Sequence, residues 1–182
     1  MNLRHIRRVA ISAFLLGGLA LAGYLLHLQH SGNFHTVVPD RVYRSNQPTP
    51  ERLASYQKSK HIKAVLNLRG AHPGAGWYDD ERNAAKKLGL TLIDFQMSDH
   101  RVLTPARVAD LEQVMRDAPK PLLIHCKAGA DRTGLASALY LEALAHQTRE
   151  TAGWQLSILY GHIAIHWLSR AWPMDVTWRD TA

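Results

Sequence analysis

Residues 125–134 read His-Cys-Lys-Ala-Gly-Ala-Asp-Arg-Thr-Gly and follow the apolar run Leu122-Leu123-Ile124. The apolar run predicts a buried strand over 121–125, and residues 132–145 predict an apolar helix. A tight turn between strand and helix can aim successive backbone N–H groups at one point, where the helix adds its positive end. Such a turn is an anion cradle. Gly129 lets the backbone approach the anion with no side chain between them. Arg132 can set a planar fork on two oxygens of a phosphate. A positive field of this kind favours a thiolate, which makes Cys126 the candidate nucleophile.

HCKAGADRTG resembles the H-C-x5-R-[ST] signature of the cysteine-dependent protein tyrosine and dual-specificity phosphatases. Cysteine, five-residue spacing, arginine, threonine and the flanking strand and helix all agree. The resemblance extends over about residues 37–172 and is to the compact dual-specificity branch. VYRSNQP and the strand-end NLRG also resemble its bacterial members. The resemblance implies that Cys126 attacks phosphorus to give a phosphocysteine. Arg132 and the loop of Lys127, Ala128, Gly129, Ala130 and Asp131 would hold the phosphoryl oxygens. Thr133 would hydrogen-bond the sulfur, and His125 would orient the loop and favour the thiolate. No cofactor or metal is implied, because Arg132 and amide dipoles hold the transferred charge. Rhodanese-type sulfurtransferases also open an anion-binding loop with a cysteine, but Arg132-Thr133-Gly134 fits phosphatases better. A phosphate-binding module without catalysis is the non-enzyme alternative.

The leaving oxygen needs a proton, so a carboxylic acid should reach over the loop. In the family it comes from a loop after an upstream strand. Asp99, in QMSDHRVLTP, lies between a strand and a capped helix and is the first choice. Asp94, inside the expected strand, and Asp131, beside Arg132, are the alternatives. Lys127 and the sequence CKAG resemble loops of phosphatases acting on inositol lipids or phosphatidylglycerol phosphate, so a lipid phosphate stands beside a phosphoprotein as substrate. Ala130 departs from that pattern, where some lipid-directed loops carry lysine. Arg69, Arg44 and His72 are expected on the rim, since strand ends of a parallel sheet gather on one side. Trp77 and Tyr78 are read as helix-start packing, with flanking of an aromatic substrate as the alternative. His100, His146, His162 and His166 are assigned no special role.

The 182 residues carry 22 Lys and Arg against 15 Asp and Glu, a formal charge of +7. Mean hydropathy is −0.22, which describes a globular chain rather than a disordered or multispan one. One cysteine excludes an internal disulfide and a Cys-based zinc site. The spread-out basic excess suits phosphates more than a nucleic-acid groove.

Residues 9–28 contain no acid, Lys or Arg and are long enough to cross about 30 Å of hydrocarbon as a helix. Arg4, Arg7 and Arg8, in the basic terminus 1–8, keep that end cytoplasmic, so the remainder is expected on the outer, periplasmic side of the inner membrane. Cleavage near Ala22, at Ala20-Leu21-Ala22, is the alternative, giving a secreted protein.

A polar linker is expected over 29–36, a catalytic domain over 37–172 and a tail over 173–182. Within the domain, 41–45 reads as an edge strand and 50–59 as a helix capped by Thr49. Strands are expected at 63–68 and 91–97, and helices at 77–88 and, capped by Thr104, at 105–116. Two further helices are expected at 150–159 and 162–171. Alternating strands and helices predict an α/β fold with a mostly parallel central sheet flanked by helices. Trp154, Trp167, Trp172 and Trp178, with Tyr160, are read as core contacts of the closing helices, and an interfacial role is the alternative. Residues 156–168 are too short to span a bilayer.

Overall fold

A computed structural model of the chain describes residues 3–166 and 168–181. Five short strands form one sheet: β1 (His35–Val38), β2 (Val42–Ser45), β3 (Ala64–Asn67), β4 (Thr91–Asp94) and β5 (Leu122–His125). Their order is β1-β2-β5-β3-β4, with β1 antiparallel to β2 and all other pairings parallel. Registers align Ser45, His125, Asn67 and Asp94 along one edge. The segments that follow these four residues therefore emerge together, which is where an α/β sheet places its ligands.

Side chains alternate across the strands and split the core into two halves. Val42, Leu66, Leu122 and Ile124 face Leu111, Met115, Leu135, Leu139 and Met174. These belong to α4 (Pro105–Asp117), α5 (Asp131–Leu139) and α7 (Trp172–Asp180). Tyr43, Val65 and Leu123 face the other way, onto Leu53 of α2 (Pro50–Lys60) and Ala84 and Ala85 of α3 (Gly76–Lys87). Thr49 and Thr104 cap α2 and α4 as expected, each accepting a backbone N–H, with proline in the first turn.

Several boundaries differ from expectation. The strand at 41–45 is not an edge: His35–Val38 pairs outside it, a four-residue strand too short to show a period. The segment 29–36 is no loose linker. Helix α1 runs from Leu3 to Ser31, and Asn33, which follows it, is fully buried. The expected helix at 132–145 ends as α helix at Leu139 and continues as one wider π turn, Tyr140–Leu144.

The two expected closing helices give way to α6 (Arg149–Gly153), a 3-10 turn (Ile158–Tyr160) and an irregular stretch opened by Gly161 at φ +82°. The last helix instead starts at Trp172, where Pro173 fits the first turn. The expected tail is thus a packed helix. Met174 is fully buried, and the Thr177 hydroxyl accepts from Leu103 N at 3.0 Å and donates to Pro173 O at 2.8 Å. Trp178 packs on the core, whereas Trp154 is exposed; Trp167 lies outside the described residues.

If α7 closes the core, Met174→Ala leaves a cavity under the sheet and should cost about 2–5 kcal/mol. The check is urea unfolding of the full chain in detergent: the midpoint should fall with an unchanged slope. An unchanged midpoint would return these residues to a tail.

Candidate active site

Arg44 of β2 is completely buried, an unusual place for a guanidinium. Its Nη1 donates to the Gln155 carbonyl at 2.9 Å and to Gln155 Oε1 at 2.7 Å. Nη2 donates to Gly129 O at 2.8 Å and Ala130 O at 3.3 Å, and the guanidinium lies 4.0 Å over the Tyr160 ring. Burial lowers its pKa to about 10, partly offset by Tyr160, Cys126 and Asp131, so it stays charged at neutral pH. Arg44 therefore stands behind the loop, not on the rim where the sequence reading put it.

The rest of the loop is gripped from the same side. Lys127 O accepts from Gln47 N at 3.2 Å; Ala128 O accepts from Asn33 Nδ2 at 3.0 Å and Gln29 Nε2 at 3.2 Å. In a planar trans peptide the carbonyl of one residue points opposite to the N–H of the next. Four carbonyls drawn outward, 127 to 130, therefore turn the amides of 128 to 131 inward. Gly129 sits at φ +72°, and a Cβ there would lie 2.6 Å from the Ser45 carbonyl group and Asn46 N. Only glycine fits.

Cys126 is the buried free cysteine that follows β5. Beside it, His125 Nε2 stands 2.7 Å from Glu81 Oε1, both side chains fully buried, and His125 Nδ1 lies 3.3 Å from Cys126 O. Glu81 escaped the sequence reading. Its only signal is position: it shares the buried face of α3 with Tyr78, Ala84 and Ala85. Thr133 is fully buried, and its Oγ1 has no hydrogen-bond partner among the described residues.

The three candidate acids separate by their surroundings. Asp94 accepts from the Tyr78 hydroxyl at 2.6 Å and from Asn67 Nδ2 at 2.8 Å, and the Asp94 bond with burial pushes the Tyr78 pKa up to about 12. Asp131 Oδ1 lies 2.7 Å from His162 Nδ1, whose Nε2 lies 2.8 Å from Asp175 Oδ2 on α7. Both carboxylates are thus occupied in holding structure. Asp99 alone opens onto a cleft of about 490 Å³ beside the loop, together with Arg132, Arg69, His72 and His100. His100 Nδ1 stands 2.8 Å from Asp99 Oδ1, and Arg170 Nη2 donates to the same oxygen at 3.2 Å. The His100 contact holds the Asp99 carboxyl below its usual range; burial opposes this, and Arg132 and Arg170 add to it.

Arg132 Nη1 donates to Met97 O at 3.2 Å, joining the loop to the Asp99 segment. In the same cleft lining, Arg69 lies 3.2 Å over the Trp77 ring and donates to Gln47 Oε1 at 2.8 Å. Burial and then Arg132 lower its pKa, against Cys126 and Glu81. Tyr78 is buried and cannot flank a substrate, whereas Lys127 is exposed. Among the described residues no group of three His, Cys, Asp or Glu side chains is placed to hold a metal ion.

A family model described as Swiss Army Knife protein, DSP-PTPase phosphatase domain, matches residues 31–177. The chain is 28% identical over 133 residues to the inositol diphosphatase SIW14 of Saccharomyces cerevisiae, over 70% of this chain and 43% of that protein. It is 26% identical over 137 residues to the mouse protein tyrosine phosphatase domain-containing protein 1, over 66% of this chain and 18% of the relative. It therefore spans less than half the length of these relatives. Two solved structures share the fold. TpbA of P. aeruginosa superposes with a TM-score of 0.62 at 21% identity, over 82% of this chain and 85% of that one. PTPMT1 in complex with PI(5)P gives 0.60 at 17%, over 81% and 95%.

His162, assigned no role from sequence, ties the loop to α7. Burial alone would lower its pKa, but hydrogen bonds and charge from Asp131 and Asp175 push it up to about 9. A folded value above the unfolded 6.5 gives stabilisation that is complete below about pH 6.5 and lost as pH rises through about 9. Melting temperature should therefore fall between pH 7 and 9.5 in the native chain. His162→Gln should lower it by the equivalent of about 2–3 kcal/mol at pH 6.5 and flatten that slope. Equal slopes in both proteins would show that His162 is not the group responsible.

Proposed function

Because the chain belongs to the DSP-PTPase phosphatase domain family and is a cysteine-dependent phosphatase, we propose that it hydrolyses phosphomonoesters in two steps through a phosphocysteine on Cys126. The observation that carries this reading is the set of four loop carbonyls bound from behind, which turns the intervening amides toward the anion site beside Cys126 and Arg132. In the first step the Cys126 thiolate attacks phosphorus and the P–O bond to the leaving group breaks. Asp99 gives its proton to the departing oxygen. In the second, water attacks the phosphocysteine, the Asp99 carboxylate takes a proton from that water, and the P–S bond breaks to release inorganic phosphate and the Cys126 thiolate. The inward amides and Arg132 hold the three equatorial oxygens throughout. Thr133 Oγ1, buried without a partner, is available to the sulfur as it leaves. His125, backed by Glu81, fixes the start of the loop.

The acid must be protonated before transfer, while His100, Arg132 and Arg170 favour its carboxylate. A bound phosphate dianion supplies the opposite charge and pulls Arg132 onto itself, so substrate raises the Asp99 pKa at the moment the proton is needed.

Substrates are phosphorylated molecules, either phosphoproteins or lipid and inositol phosphates. A form of TpbA has been solved with pTyr and PTPMT1 with PI(5)P, and both share this fold. The cluster Arg69, His72, His100, Arg101 and Arg132 around the cleft suits a ligand with more than one anionic group.

Helix α1 is apolar over a length that can cross a membrane, and no part of the fold covers its apolar window. With Arg4, Arg7 and Arg8 before it, the favoured arrangement is a single span, with the catalytic domain (37–172, extended by α7) on the outer face of the inner membrane. Cleavage near Ala22 would release a domain that still kept Leu25 and Leu28.

Cys126→Ser should abolish turnover of para-nitrophenyl phosphate while vanadate still binds. Arg132→Lys should lower kcat/KM by about 10³-fold, because a point charge cannot reproduce the two-oxygen grip. Turnover by metal-free Cys126→Ser would overturn the mechanism.

Asp99→Asn should lower kcat about 10²-fold or more on alkyl phosphates and much less on aryl phosphates with acidic phenols. Arg170→Gln removes one cation that favours the Asp99 carboxylate, so the alkaline limb of the pH–kcat profile should move to higher pH. A limb that does not move, with an intact Asp99→Asn effect, would place the titration elsewhere.

A further inference from the structure

Five large aliphatic side chains between Ile158 and Leu168 are left uncovered by the described residues. Ile158 is 46% exposed, Leu159 53%, Ile163 37%, Ile165 52% and Leu168 80%. A soluble surface seldom gathers so much apolar area in one short stretch. The stretch also has a fixed neighbour. The Tyr24 hydroxyl of α1 donates to Leu159 O at 2.7 Å, and a Cβ on Gly161 would meet Leu28 Cδ1 at 3.4 Å and Leu25 Cδ2 at 3.7 Å. We propose that Ile158, Leu159, Ile163, Ile165 and Leu168 enter the interface of the bilayer that α1 spans, and so hold the phosphate loop at headgroup depth.

The depth follows from helix rise. If residues 9–28 fill the hydrocarbon, Tyr24 lies about 6 Å inside its outer edge and Gln29 about 1.5 Å outside it. Leu159, bonded to Tyr24, then lies about 6 Å inside that edge and Gly161, against Leu28, at it, so the exposed side chains around them have lipid beside them. Gln29 and Asn33 both donate to Ala128 O, which sets the phosphate loop a few ångströms above that boundary. The headgroup layer is roughly 5–8 Å thick on each side, so the cradle stands within it.

The contact is rigid enough to matter. Asn33 Nδ2 also donates to Tyr160 O at 2.9 Å, Tyr160 stacks on Arg44, and His162 is paired with Asp131 of the loop. The inserted stretch and the anion cradle are thus one packed unit. Arg101 and Arg170, both exposed beside the cleft segment, would add attraction to anionic lipid. The functional consequence rests on the phosphatase reading: phosphomonoesters carried on lipid headgroups should be favoured over soluble ones.

The test has two arms on the full chain in vesicles of phosphatidylcholine and phosphatidylglycerol. In a Cys126→Ser background, a single cysteine at Leu168 carries an NBD fluorophore, and doxyl-labelled lipid serves as quencher. A second protein carries the label at Asp117, which precedes β5 and so lies at the sheet edge opposite the loop. The Leu168 label should be quenched and the Asp117 label not. Equal quenching at both sites, or none at Leu168, overturns the insertion.

In the second arm, Leu159→Gln, Ile165→Gln and Leu168→Gln are combined in the otherwise native chain. Turnover of para-nitrophenyl phosphate should stay within about twofold, while kcat/KM on phosphatidic acid in the vesicle should fall about tenfold or more. Unchanged lipid turnover overturns the functional consequence. If neither substrate is turned over by the native chain, the phosphatase reading fails while the quenching arm still decides the insertion.

Discussion

A buried guanidinium bonded to backbone carbonyls is the constraint on which the site depends. Arg44 sits within the sheet with no carboxylate against it, and its positive charge is balanced instead by carbonyl dipoles, the Gln155 side chain and the face of Tyr160. Taking such a cation out of water is costly, and the cost is offset by the acceptors that meet both Nη1 and Nη2. The arrangement fixes the direction of the peptide planes at Gly129 and Ala130. Once those carbonyls point back into the protein, the backbone of the proposed anion site in front of them is preformed, with Arg132 left to turn from Met97 O onto an arriving phosphate. Gly129 is the sequence's concession to this packing, since the Ser45 backbone leaves no room for a side chain.

Charge is layered around that cradle. Arg44 stands behind, Arg132 and Arg69 stand at the front, and His162 is held as a cation at one end of α5 by Asp131 and Asp175. Carboxylates are kept off the anion's approach by being engaged elsewhere: Glu81 with His125, Asp94 with Tyr78 and Asn67. Asp99 is the exception, and it is held by cations that a bound phosphate would compete for. In the proposed mechanism the arrangement that attracts the substrate also readies the acid.

The amino-terminal helix is not an appendage. Its last turn and the residues after it are stitched to the domain by Asn46 Nδ2 to Gln29 O, Asn46 N to Gly32 O, Arg52 to His30 O and the two bonds to Ala128 O. Any motion of α1 relative to the sheet must break bonds to the phosphate loop itself. Helix α1 and the loop are mechanically one object, and this fixes the distance of the loop from the end of the apolar stretch of α1.

The anion loop, Arg132, Gly129, the helix caps at Thr49 and Thr104 and the mostly parallel order were legible in the chain, because each depends on neighbours a few residues away. Local hydrogen bonding and side-chain periodicity carry those signals. What lay beyond the sequence is whatever depends on partners far along the chain. Arg44 read as a rim cation, but its acceptors are 85 and 111 residues distant. His162 looked ordinary until Asp131 and Asp175 closed on it, and Glu81, given no reading from sequence, is turned by α3 toward His125. The closing helix was misplaced for a related reason: residues 162–171 have helical composition, yet Gly161 and the tie from His162 to the loop hold the chain open, and Pro173 begins the helix later. Sequence thus determined which residue types the loop carries, while tertiary packing alone decided which charges face the cleft and which support the loop from behind, because burial and long-range pairing set the cost of each charge.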